Sequence, residues 1–178
     1  MKLPKVEVKK ILYATDLSEN ARYAFAYAVS LADLYNAAIT FIHVLPEVPD
    51  LIDKNIIGYI SEDRWEEIKS QNVDEAREAL FGKRRDHLAV RDALHHFSEN
   101  VKHGHESKGF VTDDIIVERG NPVEIILKQA AEKNCDLIVM GTHGQGKLAD
   151  AMMGSTARRV LRRSKKPVLV VRLPEEED

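Results

Sequence analysis

Short apolar runs and helical apolar stripes alternate along this chain, and the alternation restricts its fold first. Lys9-Lys-Ile-Leu-Tyr-Ala-Thr15 is a basic lead-in followed by an apolar run, the pattern of a buried parallel strand. Asp16-Leu-Ser18 supplies a turn with capping residues. Ala21, Ala24, Phe25, Ala28, Leu31, Ala32 and Tyr35 then recur with helical spacing, predicting a helix with one small, flat apolar face and Asn36 as its C-terminal cap. Ala38-Ile-Thr-Phe-Ile-His-Val-Leu45 reads as a second strand, stopped by Pro46. Strand, helix, strand over this length is a right-handed βαβ unit.

Between Pro46 and Gly109 the pattern loosens. Ser61 can cap a helix carrying Trp65, Ile68, Ala76 and Leu80, with a break at Gly82, and Val90, Leu94, Phe97 and Val101 make a clearer stripe. Two helices are therefore expected in an extended crossover at about 46–109. Regularity then returns. Asp114-Ile-Ile-Val-Glu118 predicts a third strand, Asn121-Pro122 a helix start, and Asn134 its end. Ile125, Ile126, Leu127 and Ala130 should face the sheet. Cys135-Asp-Leu-Ile-Val-Met140 predicts strand four, Ala157-Arg-Arg-Val-Leu-Arg-Arg163 a helix, and Lys165-Lys-Pro-Val-Leu-Val-Val171 strand five. Such alternation means one α/β domain over 1–178, with a parallel sheet.

Composition narrows the function classes. The 178 residues are 44% hydrophobic, enough for one substantial core, and the net charge of −3 does not suggest a nucleic-acid partner. Cys135, the single cysteine, cannot form an internal disulfide and reads as a reduced core residue. No apolar run approaches a membrane span and Met1-Lys-Leu-Pro-Lys lacks a signal-peptide core, so a cytoplasmic protein is expected.

The chemistry concentrates between strand four and the last helix, where Gly141, Gly144, Gly146 and Gly154 are four of the nine glycines. Gly154-Ser155-Thr156 opens a helix whose free N–H groups and dipole favour an anion. The run Gly141-Thr-His-Gly-Gln-Gly-Lys-Leu148 mimics a P-loop but ends in Leu148, which has no hydroxyl for Mg²⁺, and its helix begins too late. In an open doubly wound sheet, ligands lie outside the carboxyl ends of the strands where strand order reverses. That rule gathers Ala14-Thr15-Asp16, His43-Val44-Leu45 and the glycine loop. Asp16 suits a ribose hydroxyl pair, with a turn residue as the alternative, and Val44 offers main-chain groups and an apolar edge to a purine.

These residues carry a resemblance. Ile11-Leu-Tyr-Ala-Thr-Asp-Leu-Ser18, Asp136-Leu-Ile-Val-Met-Gly-Thr-His-Gly144, Gly154-Ser155 and Pro167-Val-Leu-Val-Val-Arg172 resemble the universal stress protein family. The spacing Gly141-x2-Gly144-x9-Gly154-Ser155 is that of its ATP-binding branch. The resemblance weakens between about Pro46 and Arg85. It implies a single Rossmann-like domain with a five-stranded parallel sheet in the order 3-2-1-4-5 and helices on both faces. It further implies ATP or AMP, with or without Mg²⁺, bound between strands one and four, and homodimers formed through Val168–Val171. Thr15 and Asp16 would hold the ribose and the Val44 backbone the adenine. Gly141 and Gly144 would line ribose and phosphates, and Gly154, Ser155 and Thr156 would hold the phosphates. Met140 would pack beneath the adenosine, and Ala14, Thr142, His143 and Gly146 complete the candidate lining, His143 as a solvated loop imidazole.

Other features read more blandly. Five of the seven histidines fall in the crossover (His87, His95, His96, His103 and His105). His95, Glu99 and His103 would share a helical face, a partial zinc ligand set, although one face rarely closes a tetrahedron. Arg158, Arg159, Arg162, Arg163, Lys165 and Lys166 read as a solvated face with cations near a helix C-terminus. The sequence shows no base, nucleophile or arginine finger converging on the phosphates. A nucleotide-binding stress or signalling module with an unidentified protein partner is thus expected ahead of a slow ATPase or nucleotide transferase, or a nucleotide-free dimer. Leu148, Met152 and Met153 are apolar for a loop, and the expectation is either that nucleotide orders a segment otherwise tethered only by packing or that a short helix stays packed in both states.

Overall fold

The computed structural model describes residues 3, 5–45, 88, 90–99, 101–102, 110–143 and 153–174. The elements are β1 (Lys10–Ala14), α1 (Glu19–Tyr35), β2 (Ala38–Leu45), β3 (Val111–Arg119), α2 (Pro122–Glu132), β4 (Leu137–Gly141), α3 (Ser155–Arg163) and β5 (Val168–Val171). They build a five-stranded sheet in the order β3-β2-β1-β4-β5, with every pairing parallel. This is the parallel α/β sheet expected from the alternation, in the strand order that the family resemblance implies. The Ser61 helix, His87, His103, His105, Gly144 and Gly146 lie outside the described residues.

Both faces of the sheet are covered, which is why the central strands carry nearly continuous apolar runs rather than alternating, with Thr40 and His43 as buried polar exceptions in β2. On one face Ile11, Tyr13, Ile39, Phe41 and Val139 pack under α1 and under Leu94 of the helical residues 90–99. Phe25 is the hub there, with ring centroids 4.8 Å from Tyr13, 5.1 Å from Phe41, 5.1 Å from Phe97 and 5.4 Å from Phe110. On the other face Leu12, Ile42, Ile138 and Met140 meet Val123 and Ile126 of α2 and Ala157 and Val160 of α3. Cys135 is a free, fully buried thiol, and burial pushes its pKa up to about 11, so it stays protonated and apolar at neutral pH.

Helix ends follow their capping residues. Ser18 accepts from Ala21 N–H, and Asn36 takes the left-handed conformation at φ 54°. Asn121 accepts from Val123 and Glu124 N–H with Pro122 in the first turn. Three expectations need correction. The buried face of α1 includes Val29 and Asn20, whereas Tyr35 is exposed, because the stripe turns slightly around the helix. The second helix is capped by Lys133, with Asn134 following at φ 53°. Strand β3 begins at Val111, earlier than its apolar run. It is an edge strand, so Asp113 and Asp114 are tolerated, pairing with Lys10 at 2.9 Å and Lys133 at 2.7 Å beside an irregularity opposite Ile39 and Thr40.

Candidate functional site

Strand order reverses between β1 and β4, because the chain leaves β1 for β2 on one side and β4 stands on the other. At the carboxyl ends of these strands lies a cleft of about 360 Å³, within the usual range for small-molecule sites, roughly 300–1,000 Å³. It is lined by Ala14, Thr15 and Asp16 after β1, by Ile42 and Val44 of β2, and by Met140 to His143 at the end of β4. Gly154, Ser155, Thr156 and Ala157 close it at the start of α3, with Pro122 and Ile126 of α2 and Ala21 of α1 as further walls. The structure therefore gathers every described candidate residue around one space. The floor is apolar, since Met140 and Ile42 belong to the second core and are almost fully buried.

The β1 side is held rigidly. Thr15 N–H donates to Ile42 O at 3.0 Å, and Thr15 O accepts from His43 Nδ1 at 2.8 Å. A carbonyl only accepts, so His43 carries its proton on Nδ1. The chain then reverses through two side-chain bonds: Thr15 Oγ1 accepts from Leu17 N–H at 3.0 Å, and Asp16 Oδ1 accepts from Ser18 N–H at 3.1 Å. Leu17 sits between them at φ 67°, a left-handed conformation that costs a non-glycine residue roughly 1–2 kcal/mol. Strain thus sits at Leu17, between two side-chain bonds of which Asp16 accepts one. The turn reading of Asp16 is correct, and the residue also lines the cleft.

The β4 side is built around Thr142. Its N–H donates to Val171 O at 2.9 Å, and its carbonyl accepts from Gly154 N–H at 2.8 Å. Gly154 is therefore needed for space: its φ is −55°, but a Cβ there would fall 2.9 Å from Thr142 O. Gly154 N–H thus has a main-chain acceptor, while the apolar segment 144–152 expected to respond to nucleotide lies outside the described residues. Gly154, as the N-cap, has no side chain to bond the next N–H groups, which also lack partners within the helix, and Ser155, Thr156 and Ala157 line the cleft. His143 is partly buried rather than a freely solvated imidazole, with Nδ1 3.1 Å from Thr142 Oγ1.

Two polar roles escaped the sequence reading. Asn20, in the first turn of α1, donates through Nδ2 to Thr142 Oγ1 and His143 O, both at 3.1 Å. Its Oδ1 is buried without a partner, at a cost of about 1–3 kcal/mol. The other is that of His43, which the switch-point rule gathers to the site but whose bond to Thr15 O no local pattern encodes. Away from the cleft, Arg163 pairs with Glu124 across α2 and α3, consistent with a surface role for that basic residue. No group of three metal-ligating side chains occurs among the described residues. No helix among them is long and apolar enough to cross a membrane.

Comparison with known proteins agrees with this architecture. Residues 7–172 match the universal stress protein family. Universal stress protein MJ0577 of Methanocaldococcus jannaschii is 32% identical over 176 residues, covering 94% of this chain and 96% of its own. The solved structure of MJ0577 has a TM-score of 0.60 at 31% identity and covers 96% of this chain and 100% of its own. Universal stress protein UspA from Lactobacillus plantarum shares the fold with a TM-score of 0.62 at 24% identity, over 94% of this chain and 100% of its own. So does a universal stress protein crystallised in complex with cAMP, with a TM-score of 0.51 at 21% identity, over 93% and 98%. The match extends across both sides of the cleft, and the chain belongs to the universal stress protein family.

Proposed function

We propose that this chain binds ATP or AMP in the β1–β4 cleft and acts as a dimeric stress-response or signalling module of the ATP-binding branch of its family. The observation that carries the reading is the presence, around one apolar-floored cleft, of both Asp16 and the first turn of α3, which opens at Gly154. A ribose needs an acceptor for its hydroxyl pair, and phosphates need donors with a favourable dipole. In this reading Thr15 and Asp16 take the ribose, and the Val44 backbone takes the adenine edge above Met140. Ser155 and Thr156 take the phosphates, with Gly141 and Gly154 keeping the backbone close. Ala14, Thr142 and His143 complete the wall, and Gly144 and Gly146 are proposed for the phosphate side. Any Mg²⁺ would arrive with the phosphates and neutralise part of their charge. The relative crystallised with cAMP supports an adenine nucleotide as the ligand class.

A single cytoplasmic domain over 1–178 fits this role, dimerised through β5. That strand is an edge of the sheet, and an apolar edge pairing antiparallel with its own copy makes a closed, two-fold interface. Light scattering at micromolar concentration should find a dimer, and a monomer would exclude the arrangement. Mass spectrometry of small molecules released from the purified, denatured protein tests the ligand. ATP, ADP or AMP is expected, and a different ligand class at full occupancy would overturn the proposal. A multiple-turnover assay with Mg-ATP separates a module from an enzyme.

A further inference from the structure

Asn20 is the one polar residue in the buried set of α1, and its carboxamide serves the turn after β4 rather than its own helix. His143 O can only accept, so the amide nitrogen must face it, which fixes the orientation of the group. Thr142 Oγ1, accepting from the same nitrogen, keeps its own proton to donate, and His143 Nδ1 lies 3.1 Å away. Through its main chain Thr142 also joins β5 at Val171 and the start of α3 at Gly154. Asn20 therefore holds the residue at which β4, β5 and α3 meet. Two observations indicate that the contact is specific rather than filling. Oδ1 is left buried and unpartnered, an arrangement that alanine or leucine would avoid. A Cβ on Gly141 would fall 3.1 Å from Asn20 Cγ and 3.2 Å from Nδ2, so the backbone of β4 is kept bare where the amide presses on it.

We infer that Asn20 is a positioning residue for the phosphate end of the cleft. Through Thr142 it sets the spacing between the β4 turn and the α3 N-terminus, and so sets how strongly the site prefers a nucleotide to its nucleoside. The inference rests on the adenine-nucleotide reading of the cleft. Asn20→Ala removes both donors, and Asn20→Asp keeps the shape but sets a carboxylate against the His143 carbonyl. Titration calorimetry with ATP and with adenosine gives the readout, and amide exchange at Gly154 in ligand-free protein gives a second that needs no ligand. Asn20→Ala should weaken ATP about fivefold to tenfold, the effect of a lost hydrogen-bonded contact, while adenosine changes by less than about twofold. Asn20→Asp should weaken ATP more, and Gly154 exchange should quicken in both. Gly141→Ala, which displaces the amide without removing it, should lower ATP affinity in the parent and add little in Asn20→Ala. Equal losses for ATP and adenosine would reduce Asn20 to a general structural role and overturn the inference. If the parent binds neither ligand, the nucleotide reading fails and the exchange rate alone decides: quicker exchange at Gly154 in Asn20→Ala retains the positioning role, and an unchanged rate overturns it.

Discussion

Replacing Gly154 by alanine adds one carbon where the structure has no room for it. The new Cβ would sit 2.9 Å from Thr142 O and 3.5 Å from His143 Cα, both main-chain atoms that cannot rotate away. The φ of −55° is open to any residue, so the expected penalty is steric and not conformational. The 142–143 turn must retreat, stretching the 2.8 Å bond from Gly154 N–H to Thr142 O. Overpacking costs about 1–3 kcal/mol, and loss of a hydrogen bond about 0.5–1.5. Restricting the unfolded chain offsets about 0.4–1 kcal/mol. The balance is a destabilisation of about 2 kcal/mol, or about 4–8 °C in Tm for a chain of this size. Urea denaturation with an unchanged m-value measures it. The same retreat moves the first turn of α3, so calorimetry should show Gly154→Ala, and more so Gly154→Val, losing ATP affinity far more than adenosine affinity. A Gly154→Ala protein within about 0.5 kcal/mol of the parent and binding ATP normally would refute the steric argument.

Three further outcomes follow from the same geometry. Asp16→Ala should weaken ATP, AMP and adenosine alike by about 1–3 kcal/mol, while Asp16→Asn, which keeps an acceptor for Ser18 N–H, should preserve Tm and still lose affinity; unequal losses among the three ligands in calorimetry would count against a ribose contact. Leu17→Gly should raise stability by up to about 1 kcal/mol in thermal melts by relieving the left-handed strain, and a lower Tm would show that the turn does not hold Leu17 against its preference. Lys10 first of all holds the Asp113 carboxyl below its ordinary range, and Lys133 does the same for Asp114. A depressed folded pKa contributes stability that is full above the unfolded value of about 4 and is lost as pH falls through the folded value, so Asp113→Asn should flatten the acid limb of a stability-versus-pH curve. An identical acid limb in the variant would show that the ion pair adds nothing.

Much of the fold was legible because the strands and caps announce themselves locally. An apolar run such as Ile11 to Ala14 has few alternatives, and Asn36, Asn121 and Pro122 punctuate helices by chemistry that needs no tertiary partner. What was missed depends on partners distant in sequence. Asp113 and Asp114 do not look like strand residues until Lys10 and Lys133 stand beside them on an edge. Asn20 looks like a solvated helix residue until Thr142, far along the chain, accepts from it. Tyr35 continues the helical stripe in one dimension but rotates out of the core in three. The cleft residues were found from the switch-point rule and the family resemblance together. The commitment of Gly154 N–H to Thr142 O was not, because no local pattern encodes it.

Amide chemical-shift mapping of the ¹⁵N-labelled protein titrated with ATP tests binding and its location in one experiment. Saturable shifts should cluster at Thr15, Asp16, Val44, Gly141, Thr142, Ser155 and Thr156, with AMP reproducing those near Asp16 and Val44. No shifts at millimolar ATP, or shifts confined to the separate polar cleft around Arg91, His95 and Asp114, would contradict the assignment of this site to an adenine nucleotide.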